Sequence, residues 1–97
     1  MQAVFEAISN TRRREILRLI WNQELPAGEI ASRFDVTWPA VSQSLGVLRR
    51  AGLITERRES NRRFYRADPA PLGPLRVALE QMWGEDLANL QRAVERR

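Results

Sequence analysis

A mainly α fold with one small β-hairpin is what this 97-residue sequence predicts. Three observations carry that expectation. Apolar residues recur at three- and four-residue spacing in AVFEAIS, REILRLI, AGEIASRF, VSQSLGVL and the final stretch after DPAPLGP. Between Gly52 and Asp68 that rhythm gives way to two short runs rich in Arg and aromatics. Residues that start or stop helices, namely Asn10, Thr37, Pro39 and Gly52, stand at the ends of the periodic segments. At 43% apolar and 29% charged, residues 1–97 suit one globular domain with no room for a second core.

Taken in order, residues 3–9 place Val4, Phe5 and Ile8 on one helical face. A second helix follows Asn10 or Thr11 as cap, with Ile16, Leu17 and Ile20 inward, and Leu25-Pro26 breaks it. Ala27 to Phe34 fits two helical turns with Ile30, Ala31 and Phe34 buried, and Asp35-Val36 is a two-residue turn. Thr37 caps the next helix, Pro39 sits in its first turn where a missing N–H costs nothing, and Val36 and Val41 match a hydrophobic staple. Val41, Leu45 and Leu48 form its core face, Arg49 and Arg50 suit its C-terminal dipole, and Gly52 ends it in a left-handed conformation. Leu53–Arg58 and Arg63–Ala67 read as strands around Glu59-Ser60-Asn61-Arg62, with Asn61 tolerating positive φ. Phe64 and Tyr65 must face opposite sides, one in the core and the other against a helix. The last helix, from Pro74 to Glu95, is about 33 Å long. Its stripe of Leu75, Leu79, Trp83, Leu87, Leu90 and Val94 is too apolar for water and suits a second copy of the chain.

Two helices joined by a tight turn and followed by a basic hairpin is the order of a winged helix-turn-helix, about five helices with a two-stranded antiparallel wing. Charge supports that order. Residues 36–67 carry seven Arg against Glu56 and Glu59, whereas the segments on either side are close to neutral. The expected partner is double-stranded DNA. On the reader helix, Thr37, Trp38, Pro39, Ala40, Ser42, Gln43 and Ser44 form the outward face: Gln suits adenine, Ser and Thr suit bases or phosphates, and small residues let the helix sit deep. Trp38 is placed either on a thymine methyl or against Phe34 or Pro39. Gly46 costs roughly 1 kcal/mol relative to Ala in mid-helix, which close approach to DNA would repay.

Arg12, Arg13 and Arg14 break a local rule, since cations oppose the dipole at a helix N-terminus. A phosphate would reverse that effect; pairing with Glu6 or Glu15 is the structural alternative. In the hairpin Arg57, Arg58, Arg62, Arg63 and Arg66 are the densest positive patch, and Arg62 and Arg63 suit the DNA backbone best. The bland alternative for all of these is a solvated charged face. That all sixteen basic residues are Arg carries no functional weight.

Other classes are poorly supported. With no His and no Cys, and no base beside Ser42 or Ser44, the chain is not expected to be an enzyme. Zinc and similar metals have no ligand set, so no cofactor is expected. No apolar run of about 18 residues is present, so no membrane association is expected. MQAVFEAISN lacks the pattern of a secretory signal, which leaves the cytoplasm as the expected compartment.

FEAISNTRRREIL, AGEIASRFDVTWPAVSQSLGVLRRAGLITERRE and RRFYRADPAPL resemble the ArsR-type family of dimeric winged-helix repressors over roughly residues 4–72. The run AVSQSLGVLRRAGLI is the most specific part. The resemblance implies a reader helix near 37–51, a wing near 56–66, and dimerisation through residues 1–9 and 70–97. Interface residues would then be Val4, Phe5, Ile8 and Met82 together with the last-helix stripe. Three departures stand out. Gln43-Ser44 replaces the Arg-His of many members, Ser60-Asn61 replaces a Gly-Arg wing tip, and the Cys and His ligands of metal-responsive members are missing. The expectation is a homodimeric repressor on a pseudo-palindromic promoter site, constitutive or released by a small organic effector. A winged-helix module that binds an acidic protein is the alternative from another class.

Overall fold

The computed structural model describes residues 2–84, and the element order follows the sequence reading with one strand added. Helix α1 spans Gln2–Ile8, α2 Thr11–Leu19, α3 Ala27–Ser32 and α4 Trp38–Arg50. Strand β1 is Leu25–Pro26, β2 Ile54–Glu59 and β3 Arg62–Ala67. A 3-10 turn at Ala70–Leu72 leads into helix α5, helical over residues 75–84 of the described chain.

Local chemistry sets the helix ends. The Asn10 side chain accepts from the Arg13 N–H at 3.1 Å and starts α2. Thr37 Oγ1 accepts more loosely from the Ala40 N–H, at 3.4 Å, and Pro39 occupies the first turn of α4. At the other end of α4, the Leu53 N–H donates to Leu48 O and the Gly52 N–H to Arg49 O, both at 3.0 Å. This is a Schellman cap, and it requires the φ of +77° that Gly52 adopts. Leu48 and Leu53, the apolar pair such a cap brings together, are both fully buried.

The core gathers Ile16, Leu17, Ile20, Ile30, Val41, Leu45, Leu48, Leu53 and Leu72 between α2, α4 and the inner face of the sheet. Leu25-Pro26, expected only to break a helix, is instead an edge strand. It pairs antiparallel with β3 at Leu25–Tyr65 and Pro26–Phe64, giving a three-stranded sheet in the order β1-β3-β2. Proline has no N–H to offer a second neighbour, so it is tolerated at an edge. The hairpin turn places Ser60, not Asn61, at positive φ (55°).

Three smaller expectations change. Helix α3 stops at Ser32, so its link to α4 covers residues 33–37, not two residues. Val36 is 40% exposed while Val41 is fully buried, so the hydrophobic staple does not close. Tyr65 enters the core as expected for one of the aromatic pair, but Phe64 lies under Arg57 and Arg62, with guanidinium carbons 4.7 and 5.3 Å from the ring centre.

The two terminal helices pack on this core. Val4 and Ala7 of α1 are buried in it. In α5, Leu79 and Trp83 are buried, Leu75 is half-buried, and Trp83 meets Trp21 edge-to-face at 4.9 Å between ring centres. The Trp21 indole N–H donates to Glu80 at 3.2 Å, which ties α5 to the chain leaving α2. Val4, Leu79 and Trp83, expected at a dimer interface, are therefore enclosed by their own chain. The i, i+4 spacing that suggested an outward seam is used to seat α5 on Trp21. Ile8 is half-buried against the same core. Phe5 and Met82 stay exposed, as does Val77. Leu87, Leu90 and Val94 lie outside the described residues. No described helix is long and apolar enough to cross a membrane.

Candidate nucleic-acid interface

Helix α4 presents two chemically distinct faces. Val41, Ser44, Leu45 and Leu48 are buried, whereas Trp38, Pro39, Ser42, Gln43, Arg49 and Arg50 are exposed and Ala40 is half-exposed. Ser44 corrects the sequence reading: at 3% exposure it cannot reach a base. It stands three residues after Val41 and four before Leu48, which places it on the core face. Thr37 is exposed at the cap. The remaining face is small and polar, with Trp38 half exposed at its N-terminal end.

The arginines divide by what they already hold. Arg13 donates from Nε to Ala7 O at 2.7 Å and from Nη2 to Glu6 O at 2.6 Å. Arg14 donates from Nη1 to Ile8 O at 2.7 Å and also reaches Thr11 Oγ1. These cations serve the free carbonyls at the C-terminus of α1, where the helix dipole favours positive charge. The local rule broken at the start of α2 is thus answered by the preceding helix. Arg13 and Arg14, expected at DNA phosphate, therefore also have a structural role within their own chain. Neither Glu6 nor Glu15 supplies the carboxylate; Glu15 pairs with Arg18.

Arg57 is likewise engaged. It grips Glu24 with Nη2 at 2.7 Å and Nε at 3.1 Å, and reaches Glu59 at 2.9 Å while lying over Phe64. It fastens the wing to the residue before β1, a structural role the sequence reading did not give it. Its hydrogen bonds hold the Glu24 carboxyl below the usual carboxylate range, and those to Glu24 and then Glu59 push its own pKa further up. Because the folded-state value for Glu24 is depressed, its stabilising contribution is complete above the unfolded carboxylate range. It is lost as pH falls through the folded value. Urea melts of Glu24→Gln and the parent chain should therefore differ at neutral pH and converge in acid.

Arg12, Arg58 and Arg62 make no side-chain hydrogen bond or ion pair among the described residues, although Arg62 lies over Phe64. Arg63 is 3.5 Å from Glu56 and half exposed. Arg58 and Arg63 are cross-strand partners on the side of the hairpin that carries Ile54 and Tyr65 into the core. The wing thus extends the α4 side of the molecule with cations still able to bind phosphate. Among the described residues, no group of His, Cys, Asp or Glu is arranged to hold a metal ion.

Comparison with known proteins agrees with this geometry. The family model for bacterial regulatory proteins of the arsR family matches residues 10–56, from the α2 cap into β2. Over 91 residues the chain is 34% identical to the HTH-type transcriptional regulator Rv2034 of Mycobacterium tuberculosis, covering 94% of this chain and 85% of that protein. It is 37% identical over 65 residues to the transcriptional repressor SdpR of Bacillus subtilis, covering 67% of this chain and 72% of that one. The solved structure of HlyU from Vibrio cholerae superposes with a TM-score of 0.74 at 32% identity, covering 84% of this chain and 89% of that one. The curated HlyU sequence bears the name transcriptional activator.

Proposed function

Since the chain belongs to the arsR family of bacterial regulatory proteins and is a DNA-binding transcriptional regulator, we propose that it acts as a cytoplasmic homodimeric repressor on a pseudo-palindromic promoter site. The observation that carries this reading is the division of α4, with an apolar face closed into the core and a small polar face left open beside a basic wing. Thr37, Trp38, Pro39, Ala40, Ser42 and Gln43 would meet bases in the major groove. Arg12, Arg58, Arg62 and Arg63 would hold the backbone. Phe5 and Met82, exposed on the two terminal helices, would contribute to the dimer together with Leu87, Leu90 and Val94.

Repression follows from occlusion, because a dimer across two half-sites one helical turn apart covers a promoter without further chemistry. SdpR is named a repressor and HlyU an activator, and occlusion is the reading proposed for this chain. A small organic effector between the terminal helices would act by altering the spacing of the two reader helices. Gln43→Ala should weaken binding to the chain's own upstream duplex by roughly fivefold to 150-fold, the range of about 1–3 kcal/mol for one bidentate base contact. Binding to a scrambled duplex should change little. Equal losses on both duplexes in fluorescence anisotropy would remove Gln43 from base reading.

A further inference from the structure

Helix α4 and the wing enclose a cleft of about 90 Å³ lined by Ser42, Leu45, Gly46, Arg49, Glu56, Arg63 and Tyr65. Ser42, Gly46 and Arg49 are spaced i, i+4, i+7 and so form one wall. The other wall belongs to the sheet. At its base Glu56 divides its carboxylate between two elements: Oε2 is 2.8 Å from Arg49 Nη1, and Oε1 is 3.5 Å from Arg63 Nε. The carboxylate is 20% exposed, whereas the side chains of Arg49 and Arg63 are 57% and 51% exposed. Two cations therefore face outward with an anion set beneath them.

Gly46 adds a second observation. A Cβ built there would meet only the guanidinium of Arg50 within 4 Å, at the far end of a flexible side chain. Packing among the described residues does not require glycine at this mid-helix position, and its absent side chain keeps the cleft open beside Arg49.

We infer that this cleft is a binding subsite for a DNA backbone phosphate, with Arg49 and Arg63 as its ligands and Glu56 as a built-in anionic competitor. The inference rests on the DNA-binding reading above and assigns Arg49 a role beyond capping its own helix. Each guanidinium has five N–H donors, so a phosphate can be bound through those that Glu56 leaves unused. The carboxylate neutralises one of the two cations and repels the incoming phosphate. It thereby lowers affinity for any duplex, and tight binding is left to sites that also satisfy the α4 face. Exposed ion pairs contribute little to stability, so altering this one should change binding far more than folding.

The test is Glu56→Gln in the full chain, measured by fluorescence anisotropy on the chain's own upstream duplex and a scrambled duplex at several salt concentrations. The variant should bind both duplexes about tenfold tighter at low salt, with a steeper decline of log K against log salt. Arg49→Gln should weaken binding to both. In an Arg49→Gln/Arg63→Gln background the Glu56→Gln gain should vanish. Unchanged or weaker binding by Glu56→Gln, with its melting temperature retained, overturns the competitor role. If Glu56→Gln fails to fold, Arg49→Gln decides alone, and unaltered affinity there overturns the subsite. Failure of the parent chain to bind either duplex overturns the DNA-binding reading itself. Salt-sensitive parent binding without the variant effects overturns only this inference.

Discussion

Trp83→Ala should cost about 3–5 kcal/mol of folding stability, the usual range for removing a buried Trp. Trp83 is 7% exposed and its ring meets Trp21 edge-to-face at 4.9 Å. Truncation would remove the largest apolar side chain that α5 seats on the core, leaving the Trp21–Glu80 hydrogen bond and the Arg76–Glu80 pair at a partly exposed seam. Domains of this size hold roughly 5–15 kcal/mol in total, so the loss would bring much of the population close to unfolding at physiological temperature. Urea denaturation followed by far-ultraviolet circular dichroism measures it directly. A cost below about 1 kcal/mol would mean that α5 is not seated on Trp21. Trp21→Ala should destabilise the chain in the same direction from the other side of this ring pair.

The second large effect belongs to the wing. Arg58→Ala/Arg62→Ala removes two cations that make no ion pair among the described residues, and with them the Arg62–Phe64 contact, so fold stability should change by no more than about 1 kcal/mol. DNA affinity should fall on every sequence, because phosphate contacts position the protein without reading bases. The salt slope should become shallower by about 0.9 for each phosphate that the variant no longer neutralises. Arg13→Ala/Arg14→Ala should behave oppositely, with melting temperature falling as the α1 carbonyls go without their donors and the salt slope little altered. An unchanged salt slope for the wing variant would show that Arg58 and Arg62 do not touch the backbone.

Much of this architecture is written in short-range sequence signals. Thr37, Pro39 and Gly52 bound α4 through interactions made within a few residues, and Val41, Leu45 and Leu48 declare its core face by spacing alone. Ser44 carried the same positional signal, since it falls between Val41 and Leu48 on that face. Its polarity suggested the opposite, and spacing was the better guide. Other features depend on partners distant in sequence. Leu25-Pro26 becomes a strand only because β3 arrives beside it some forty residues later. The Glu24–Arg57 pair spans 33 positions. Arg13 and Arg14 bond to carbonyls at the end of the previous helix, a contact that needs α1 packed beside α2. A count of charges locates the basic third of the chain, but only the fold divides its arginines into those paired within the protein and those without such a partner among the described residues.

The division has a consequence for the wing. Arg57 anchors it through Glu24 and Phe64, while its neighbour Arg58 lies on the opposite face of the hairpin with its cross-strand partner Arg63. Adjacent arginines in a strand point to opposite sides, so one hairpin can be braced and basic at once. On α4 the same economy holds: Arg49 stands near the C-terminal dipole and also enters the cleft beside Gly46.

The central claim is that the open face of α4 and the wing bind duplex DNA in a sequence-dependent way. Fluorescence anisotropy of the chain's own upstream duplex against a scrambled one, titrated across salt concentrations, tests it most directly. About 6–8 phosphate contacts in a dimer predict a slope of log K against log salt near −5 to −7, with the upstream duplex bound more tightly throughout. A slope near zero, or equal affinity for the two duplexes at every salt concentration, would contradict it.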